Sequence, residues 1–390
     1  MNMTDQEYMR RAIELAKKGT GWTNPNPLVG AVIVKNGKII GEGYHTCYGK
    51  MHAEREAFAS LKESAQGADL YVTLEPCCHY GKQPPCTDAI LAHKVRRVVI
   101  GSRDPNPQVA GKGAAILRKA GILVEEDFLR EECDALNPVF FHFITKGTPY
   151  VVMKYAMTCD GKIATRTGAS KWITGEDARN LVQEFRYTYS GIMAGIGTVL
   201  ADDPMLNVRI PGKRSPVRII CDDHLRIPLD SNIVKTAREY RTILATLLDT
   251  VAAGPLQASV SACIEETSPG LSGEETKDKI EKLKEAGVEI LAVPGLDGRI
   301  DLQKLMLLLG EKKIDSILLE GGGILNDSAL RAGVVHEVKA FIAPKLFGGG
   351  DAKSPVEGRG VELPAEAVAL DLISTRQIGA DLLLEYRVRR

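Results

Sequence analysis

TLEPCCHYGKQPPC, residues 73–86, holds three cysteines and a histidine in a chain that has eight cysteines in 390 residues. Its start continues a β-rich run, DLYVTL (Asp69–Leu74), and its end leads into a helical pattern, TDAILAHK (Thr87–Lys94). The cysteines thus lie between a strand end and a helix start. Upstream, His52-Ala53-Glu54 opens another short helix, so both groups sit at element termini that one sheet can bring together. His52, Cys77 and Cys86 can supply the three protein ligands of a catalytic zinc, with the fourth position left for water. Helix N-termini add a positive dipole that favours thiolate and hydroxide. Zinc lowers the pKa of its water to about 7. Glu54 is the candidate proton shuttle, a role in which a positioned carboxylate typically gives ~10²- to 10⁴-fold in rate.

The competing reading is a structural zinc held by His52 or His79 with all three cysteines. It leaves Glu54 without a use, and zinc modules space their ligands more regularly. HAE alone is weak, because His and Glu at a helix start are ordinary surface and capping residues. Joined to PCC…C downstream, it resembles the zinc-dependent nucleobase deaminases, in which the glutamate is not a ligand and hydroxide attacks the ring carbon bearing the amine. One departure stands out. Eight residues separate Cys77 from Cys86, where the common form has two, and Cys78 would leave seven. Adjacent cysteines rarely share one tetrahedral ion, and in the deaminase pattern the first cysteine follows proline, so Cys77 and Cys86 are the expected pair. Cys78, His79 and His93 receive no role.

Outward from this stretch, the chain reads as two α/β units. Thr4 and Glu7 form a capping box before Met9, Ala12, Ile13 and Ala16 at helical spacing. LVGAVIVKNGKIIGEGY (Leu28–Tyr44) is a hairpin around Asn36-Gly37, the dipeptide suited to a type I′ turn. RRVVIG (Arg96–Gly101) is a strand, and a last helix and strand follow at 112–120 and 122–124. Helices on a mixed sheet, an α/β sandwich, are expected. Asn137-Pro138 and Gly147-Thr148-Pro149 break the pattern and put a boundary near residue 147. Beyond YVVMKYAM, the strands VRIICD, TILATL, VEILAV and DSILLE point to a largely parallel sheet, and VHEVKAFIAP and LLLEYRV to an antiparallel end. Residues 251–276 read as a loop or insertion, and the scattered Cys133, Cys159, Cys221 and Cys263 as small core residues.

The insert CHYGKQPPC, with TNPNPLVGAVIV (Thr23–Val34) and DPNP (Asp104–Pro107), closely resembles the deaminase domain of the bifunctional riboflavin-biosynthesis deaminase/reductases. The second half continues the resemblance with DGKIAT, SKWIT, GIGTVLADDPMLNVR and LEGGG, so that it covers nearly the whole chain. The resemblance implies a cytidine-deaminase-like α/β/α sandwich over 1–147 and a dihydrofolate-reductase-like α/β domain over 148–390. It implies one zinc per chain and hydrolytic deamination of 2,5-diamino-6-(5-phosphoribosylamino)pyrimidin-4-one to 5-amino-6-(5-phosphoribosylamino)uracil. NADPH then reduces the ribosyl group to a ribityl chain.

The same resemblance implies first-substrate contacts at Asn26, His45, Lys82, Asp104 and Asn106. Lys82 suits a phosphate as a compact point charge. For the second half it implies NADP contacts at Ala156, Trp172, Thr198, Asp202 and the turn Gly322, Gly323, Ile324, Leu325, Asn326, Asp327 and Ser328. Substrate contacts are Ser170, Arg186, Leu206, Arg209 and Glu320, and Lys154 and Glu320 match positions implicated in the reduction. LEGGGILNDSAL is strand, glycine turn and helix start, where bare backbone N–H groups can approach a pyrophosphate; it is not the Rossmann GxGxxG. A lysine flanked by Val152, Met153 and Tyr155 is otherwise an ordinary strand residue facing solvent. Cys159 stands where the family usually has an aliphatic residue before Asp160-Gly161.

Two other classes are disfavoured. A nucleic-acid deaminase with an appended nucleotide-binding domain calls for a basic face and stacking aromatics. Residues 1–147 carry nineteen Lys/Arg against seventeen Asp/Glu, the whole chain balances fifty against fifty, and only 5% of it is aromatic. A zinc module fused to a nucleotide sensor has no use for Glu54. The expected partner is a small phosphoribosyl-pyrimidine, not nucleic acid or membrane, and a homo-oligomer is expected. MNMTDQEYMRRA lacks the apolar stretch of a signal peptide, and no run of eighteen apolar residues occurs, so a cytoplasmic location is expected.

Overall fold

The computed structural model describes residues 3–81, 83–106, 109–247, 249, 251 and 273–389. The chain divides into two compact units, Met1–Gly147 and Thr148–Arg390.

In the first unit, α1 (Asp5–Lys17) starts on the capping box: Glu7 N–H donates to Thr4 Oγ1, and Thr4 N–H to the Glu7 carboxylate at 2.6 Å. β1 (Gly30–Lys35) and β2 (Lys38–Tyr44) form the hairpin, with Asn36 and Gly37 at φ 52° and 74°, the positive values its turn requires. There follow α2 (Ala53–Ala59), β3 (Asp69–Leu74), α3 (Cys86–Ala92), β4 (Arg97–Ser102), α4 (Lys112–Lys119) and β5 (Leu123–Glu125). The sheet order is β2-β1-β3-β4-β5, antiparallel around β1 and parallel from β3 to β5.

Strand side chains alternate between faces, and both faces are covered. Val32, Val34, Tyr71 and Val99 meet Tyr8, Met9, Ala12 and Ile13 of α1. Ala31, Ile33, Leu70, Val72, Val98 and Ile100 meet Ala53, Ala57, Ile90, Ala114 and Leu117 of α2, α3 and α4. This is an α/β/α sandwich. It explains why β3 is buried along its whole length, and why residues 75–81 emerge at the C-terminal end of a central strand, where open α/β sheets carry their ligands.

The stretch after Asp134 differs from expectation. Instead of a simple break it contains a helix, α6 (Pro138–Lys146), after the short α5 (Arg130–Asp134). Proline suits the first helical position, where its missing N–H would have no partner. Asn137 before it grips Leu28, accepting from Leu28 N–H at 2.8 Å and donating to Leu28 C=O at 2.9 Å. Gly147, at φ 71°, ends the helix.

The second unit is built on a nine-stranded sheet of β6 (Tyr150–Thr158), β7 (Gly191–Gly195), β8 (Val217–Cys221), β9 (Thr242–Leu247), β10 (Val288–Val293), β13 (Ser316–Leu319), β14 (Val335–Ala343), β15 (Leu370–Ile378) and β16 (Asp381–Val388). A two-stranded ribbon, β11 (Gly295–Leu296) with β12 (Arg299–Ile300), lies apart from it. The order is β10-β9-β8-β7-β13-β6-β14-β16-β15, parallel from β10 to β14 and antiparallel at the β14-β16-β15 end.

The connecting helices include α7 (Glu176–Thr188), α8 (Ile196–Asp202), α9 (Asn232–Lys235), α10 (Gly273–Glu285), α11 (Leu302–Glu311) and α12 (Gly323–Arg331). One face packs Val151, Met153, Ile317 and Leu319 against Leu305, Leu309 and Ala329 of α11 and α12. Toward β8 and β9 the other face packs Ile192, Ala194, Ile220 and Leu244 against α8, α9 and α10. β7 and β15 were not foreseen. GIMAG is short and glycine-bounded, and LDLISTRQI is an edge strand with little of its length buried, so neither has a clean alternation.

Of the stretch 251–276, residues 252–272 lie outside the described residues, and Gly273 begins α10. Cys133 and Cys221 are buried as expected, Cys263 lies outside the described residues, and Cys159 is exposed because it starts the turn after β6.

Candidate functional site

In the first unit, β3 delivers Cys77 just past its end, α3 carries Cys86 in its first turn, and His52 is the N-cap of α2. The Cys77 and Cys86 sulfurs stand 3.5 and 3.4 Å from His52 Nδ1, and the three donor atoms lie within 4.8 Å of one another. Tetrahedral zinc, with bonds of about 2.0 to 2.3 Å, needs nitrogen and sulfur about 3.5 Å apart. The donor set therefore fits zinc in both chemistry and spacing. Cys78 stays outside the triad, and burial pushes its thiol upward.

Electrostatics within the cluster favour a thiolate. Hydrogen bonding from Cys86 pulls the Cys77 thiol down to about 4 against burial, and His52 helps. The same interaction with Cys77, together with burial, drives Cys86 the other way. His52 is raised, chiefly by its bond to Cys77. Glu54, one residue into α2, is only 3% exposed; burial first and Cys77 second raise its carboxyl, which also meets the Cys86 side chain.

A second set of expected residues gathers beside the metal triad. His45 is buried, with Nδ1 2.9 Å from Met51 C=O, Nε2 3.1 Å from Asn26 Nδ2, and its ring edge-on to His52. A carbonyl only accepts, so Nδ1 carries the proton and Nε2 accepts from Asn26. Asn26 is left with its Oδ1 and one N–H. Asp104 is buried after β4 and accepts from Asn106 N–H at 2.8 Å; burial, above all, pushes its carboxyl up to about 6. Lys82 lies outside the described residues.

Two residues not anticipated hold the cluster in place. Glu75, 4% exposed, accepts from Gly111 and Ala114 N–H and so ties the end of β3 to the start of α4. Arg55 reaches from α2 to Pro84 and Pro85 C=O, fixing the arm that brings in Cys86. A carboxylate two residues before Cys77, at Glu75, was the one signal available in sequence.

In the second unit, Lys154 and Glu320 share a sheet face because β6 and β13 pair in parallel, with Leu318 opposite Val152 and Leu319 opposite Met153. Arg186 of α7 grips Glu320 with two bonds of 2.7 and 2.9 Å and donates to Asn207 C=O at 3.2 Å. Lys154 Nζ lies 3.9 Å from Glu320. All three side chains are 11 to 13% exposed, so Lys154 does not face solvent. Burial lowers the Lys154 ammonium, with Glu320 opposing. Burial alone would raise Glu320, but Arg186 and Lys154 hold it down at about 2.

Arg209 stays exposed, its N–H bound to Gln183, near enough to Glu320 and Arg186 to feel both. Leu206 is buried at φ 49°. Ser170 donates to Asp202 at 3.2 Å, while Trp172 is 61% exposed under the Arg179 guanidinium. Ala156 is half-buried on β6.

The glycine turn opens α12 with no side-chain cap. A Cβ on Gly322 would sit 3.7 Å from Thr198 Oγ1, so the turn and α8 line one space. Ile324 is exposed and Leu325 and Ser328 half-buried. Gly323 instead backs onto Ser354 C=O, Asn326 is fully buried with its amide on Pro355 C=O at 2.8 Å, and Asp327 pairs with Arg331. The segment 354–358 thus braces the turn from behind.

Two family models match the chain. One, described as the cytidine and deoxycytidylate deaminase zinc-binding region, matches residues 2–102; the other, the RibD C-terminal domain, matches residues 149–384. Riboflavin biosynthesis protein RibD of Actinobacillus pleuropneumoniae is 54% identical, covering 99% of this chain and 96% of the relative. That of Aquifex aeolicus is 40% identical, covering 98% of each. The solved structure of Acinetobacter baumannii RibD superposes with a TM-score of 0.83 at 35% identity over 99% of both chains. A Thermotoga maritima diaminohydroxyphosphoribosylaminopyrimidine deaminase/5-amino-6-(5-phosphoribosylamino)uracil reductase superposes with a TM-score of 0.82 at 36% identity over 98% of both. With a zinc-fitting triad in the first unit, a buried Lys-Glu-Arg cluster in the second, and relatives matching from end to end, the chain belongs to the RibD family of bifunctional riboflavin-biosynthesis deaminase/reductases.

Proposed function

We propose that the chain carries out two consecutive steps on one phosphoribosyl-pyrimidine. The first unit hydrolyses the 2-amino group of 2,5-diamino-6-(5-phosphoribosylamino)pyrimidin-4-one, releasing ammonia. The second reduces the ribosyl group of the resulting 5-amino-6-(5-phosphoribosylamino)uracil to ribityl with NADPH. The observation that carries this reading is the three-ligand His52, Cys77 and Cys86 set beside a buried carboxylate, Glu54, that is not one of the ligands.

His52, Cys77 and Cys86 would hold zinc, which would supply an activated water. Glu54, its carboxyl raised by burial, would take up a proton from the attacking water and return one to the leaving amine. Asn26, oriented by His45, offers its remaining N–H and Oδ1 to the pyrimidine edge. Asp104, Asn106 and Lys82 complete the assignment of substrate contacts.

In the second unit the uncapped N–H groups of α12 would hold the cofactor pyrophosphate, and Gly322, Thr198, Asp202, Ala156 and Trp172 would complete the cofactor contacts. NADPH supplies the hydride. Lys154 is the proton donor to the sugar oxygen, its ammonium held by Glu320, and Arg186 is committed to Glu320. Recognition of the substrate phosphate therefore falls to Arg209 more than to Arg186. Ser170 and Leu206 complete the substrate side.

Among the described residues no helix is long and apolar enough to cross a membrane. We assign the enzyme to the cytoplasm as a homo-oligomer; the exposed Leu370, Leu372 and Ile373 of edge strand β15 support self-association, which light scattering tests. The deciding experiment incubates the protein with the diaminopyrimidinone phosphate, with and without NADPH, and weighs the products. Amine loss without cofactor and a two-hydrogen gain with it are expected. Glu54→Gln should keep zinc near one per chain and release no ammonia; ammonia release at the native rate would remove Glu54 from its role.

A further inference from the structure

Arg218, on β8, is fully buried, and no ion pair engages it among the described residues. Among the described residues its guanidinium donates only to neutral acceptors, and Glu239 acts on it through space without a hydrogen bond. Nε donates to Thr242 Oγ1 at 3.0 Å; one terminal nitrogen donates to Met205 C=O at 3.1 Å and Thr236 Oγ1 at 2.9 Å. The other donates to Ile233 C=O at 2.9 Å, Tyr240 C=O at 3.2 Å and Thr242 Oγ1 at 2.7 Å. The Tyr240 ring centroid lies 5.3 Å away. A buried cation without a carboxylate is costly, so the bonds it makes must hold something the fold would otherwise lose.

What it holds is visible in its partners. Met205 begins the run Met205–Arg209, which contributes Leu206 and Arg209 to the substrate side. Leu206 sits at φ 49°, a left-handed conformation that a branched side chain adopts only when its surroundings impose it. The run is fixed residue by residue. Asp203 before it accepts from Asn232 N–H at 2.8 Å, Asn207 C=O accepts from Arg186 at 3.2 Å, Val208 N–H donates to Ser215 and Arg209 N–H to Gln183. Met205 C=O, immediately before the left-handed residue, is gripped by Arg218. The same guanidinium binds Ile233 C=O of α9 and the hydroxyl of Thr236, the residue that caps its C-terminus, so one side chain ties α9, β9 and this run together.

We propose that Arg218 is a positioning residue for the reductase half: it fixes Met205–Arg209 so that Leu206 and Arg209 meet the phosphoribosyl end of the substrate. It touches neither substrate nor cofactor. The inference rests on the reading of Arg209 as a phosphate contact and adds the buried cation that sets its place.

The test compares Arg218→Met and Arg218→Lys with Arg209→Gln in the full-length protein, measuring reductase KM for 5-amino-6-(5-phosphoribosylamino)uracil, KM for NADPH and kcat, with calorimetry to verify folding. Methionine keeps the bulk and removes every donor. Arg218→Met is expected to raise substrate KM at least tenfold while NADPH KM stays within twofold and kcat within threefold; Arg218→Lys should recover part of the loss. A generally loosened fold would raise both KM values together, and that result overturns the proposal. So does a folded Arg218→Met with native substrate KM while Arg209→Gln raises it. If Arg209→Gln is silent and Arg218→Met is not, the phosphate role of Arg209 fails and the positioning role stands; if both are silent, both fail. Should Arg218→Met not fold, Thr242→Val removes the acceptor of two of the six bonds. A smaller but equally substrate-selective rise supports the proposal, and an equal rise in both KM values refutes it.

Discussion

Replacing Glu320 with glutamine removes the carboxylate charge that Arg186 and Lys154 share while keeping shape and size. All three side chains are at most 13% exposed, so solvent screens the cluster little. Burial on its own would raise the Glu320 carboxyl, but the two cations bring it from 4.5 down to about 2. That difference corresponds to ~3 kcal/mol of folding free energy at neutral pH, in line with the ~3–5 kcal/mol seen when one partner of a buried pair is removed. The sign follows from linkage. A carboxyl depressed in the folded state stabilises above its unfolded value, near 4.5, and the stabilisation is lost as pH falls through about 2. Roughly 2 of the ~3 kcal/mol should already be gone at pH 3.

Native-state hydrogen exchange at pH 7, read on peptides from β6, β7 and β13, isolates the second unit; Glu320→Gln should lower their opening free energy by ~2–3 kcal/mol. Calorimetry from pH 5 to pH 2.5 should show a shallower acid decline of the second unit's transition in the variant. Reductase turnover should fall by ~10²-fold or more, with ammonia release unchanged. A variant whose β13 peptides exchange as in the parent and whose acid decline is equally steep would falsify the ion-pair argument.

Cys77→Ser and Cys86→Ser should each lose zinc by metal analysis, and deamination with it, while reduction of separately supplied 5-amino-6-(5-phosphoribosylamino)uracil continues. Cys78→Ser should keep the metal, and the reverse pattern would reassign the ligands. Gly43→Ala would bring a Cβ to 2.5 Å from Ala53 C=O and 2.7 Å from the Glu56 carbonyl carbon, pushing α2 with His52 and Glu54 away from the cysteines. Deaminase kcat/KM should drop by ~10²-fold with the reductase intact, so native deamination would mean that α2 can shift without consequence. Asn137→Ala strips both bonds from Leu28 and should lower the stability of the first unit by ~1–3 kcal/mol, read as faster exchange in β1 peptides; unchanged exchange would show the clamp to be dispensable.

The features legible in the sequence are those fixed by a few neighbouring residues. The Thr4-Glu7 capping box, the Asn36-Gly37 turn and β3 all follow from local chemistry, and the structure has them where that chemistry put them. The metal triad was legible for a related reason: His52, Cys77 and Cys86 lie at element ends, where side chains are free to converge. Asn137-Pro138 misled because proline after asparagine signals both a break and a helix start, and only the grip on Leu28 distinguishes them. β15 was missed because an edge strand has no buried face to impose alternation.

The sequence by itself singled out the candidate chemical residues and the two α/β units that contain them, because residue type, spacing and turn preference are properties of short segments. Only the tertiary structure decided what those residues touch. Lys154 reads equally well as a solvent-facing strand lysine, since a period of two defines two faces without saying which one α7 covers. Arg186 reads as a phosphate fork until Glu320, 134 residues away, is seen to occupy it. Arg218 reads as one polar residue inside an apolar strand, and its six bonds to acceptors on β9, α9, the link between them and Met205 exist only once the parallel sheet has brought β8 beside β9. Buried polar groups take their partners from whatever the long-range packing delivers, and no local pattern records those partners in advance.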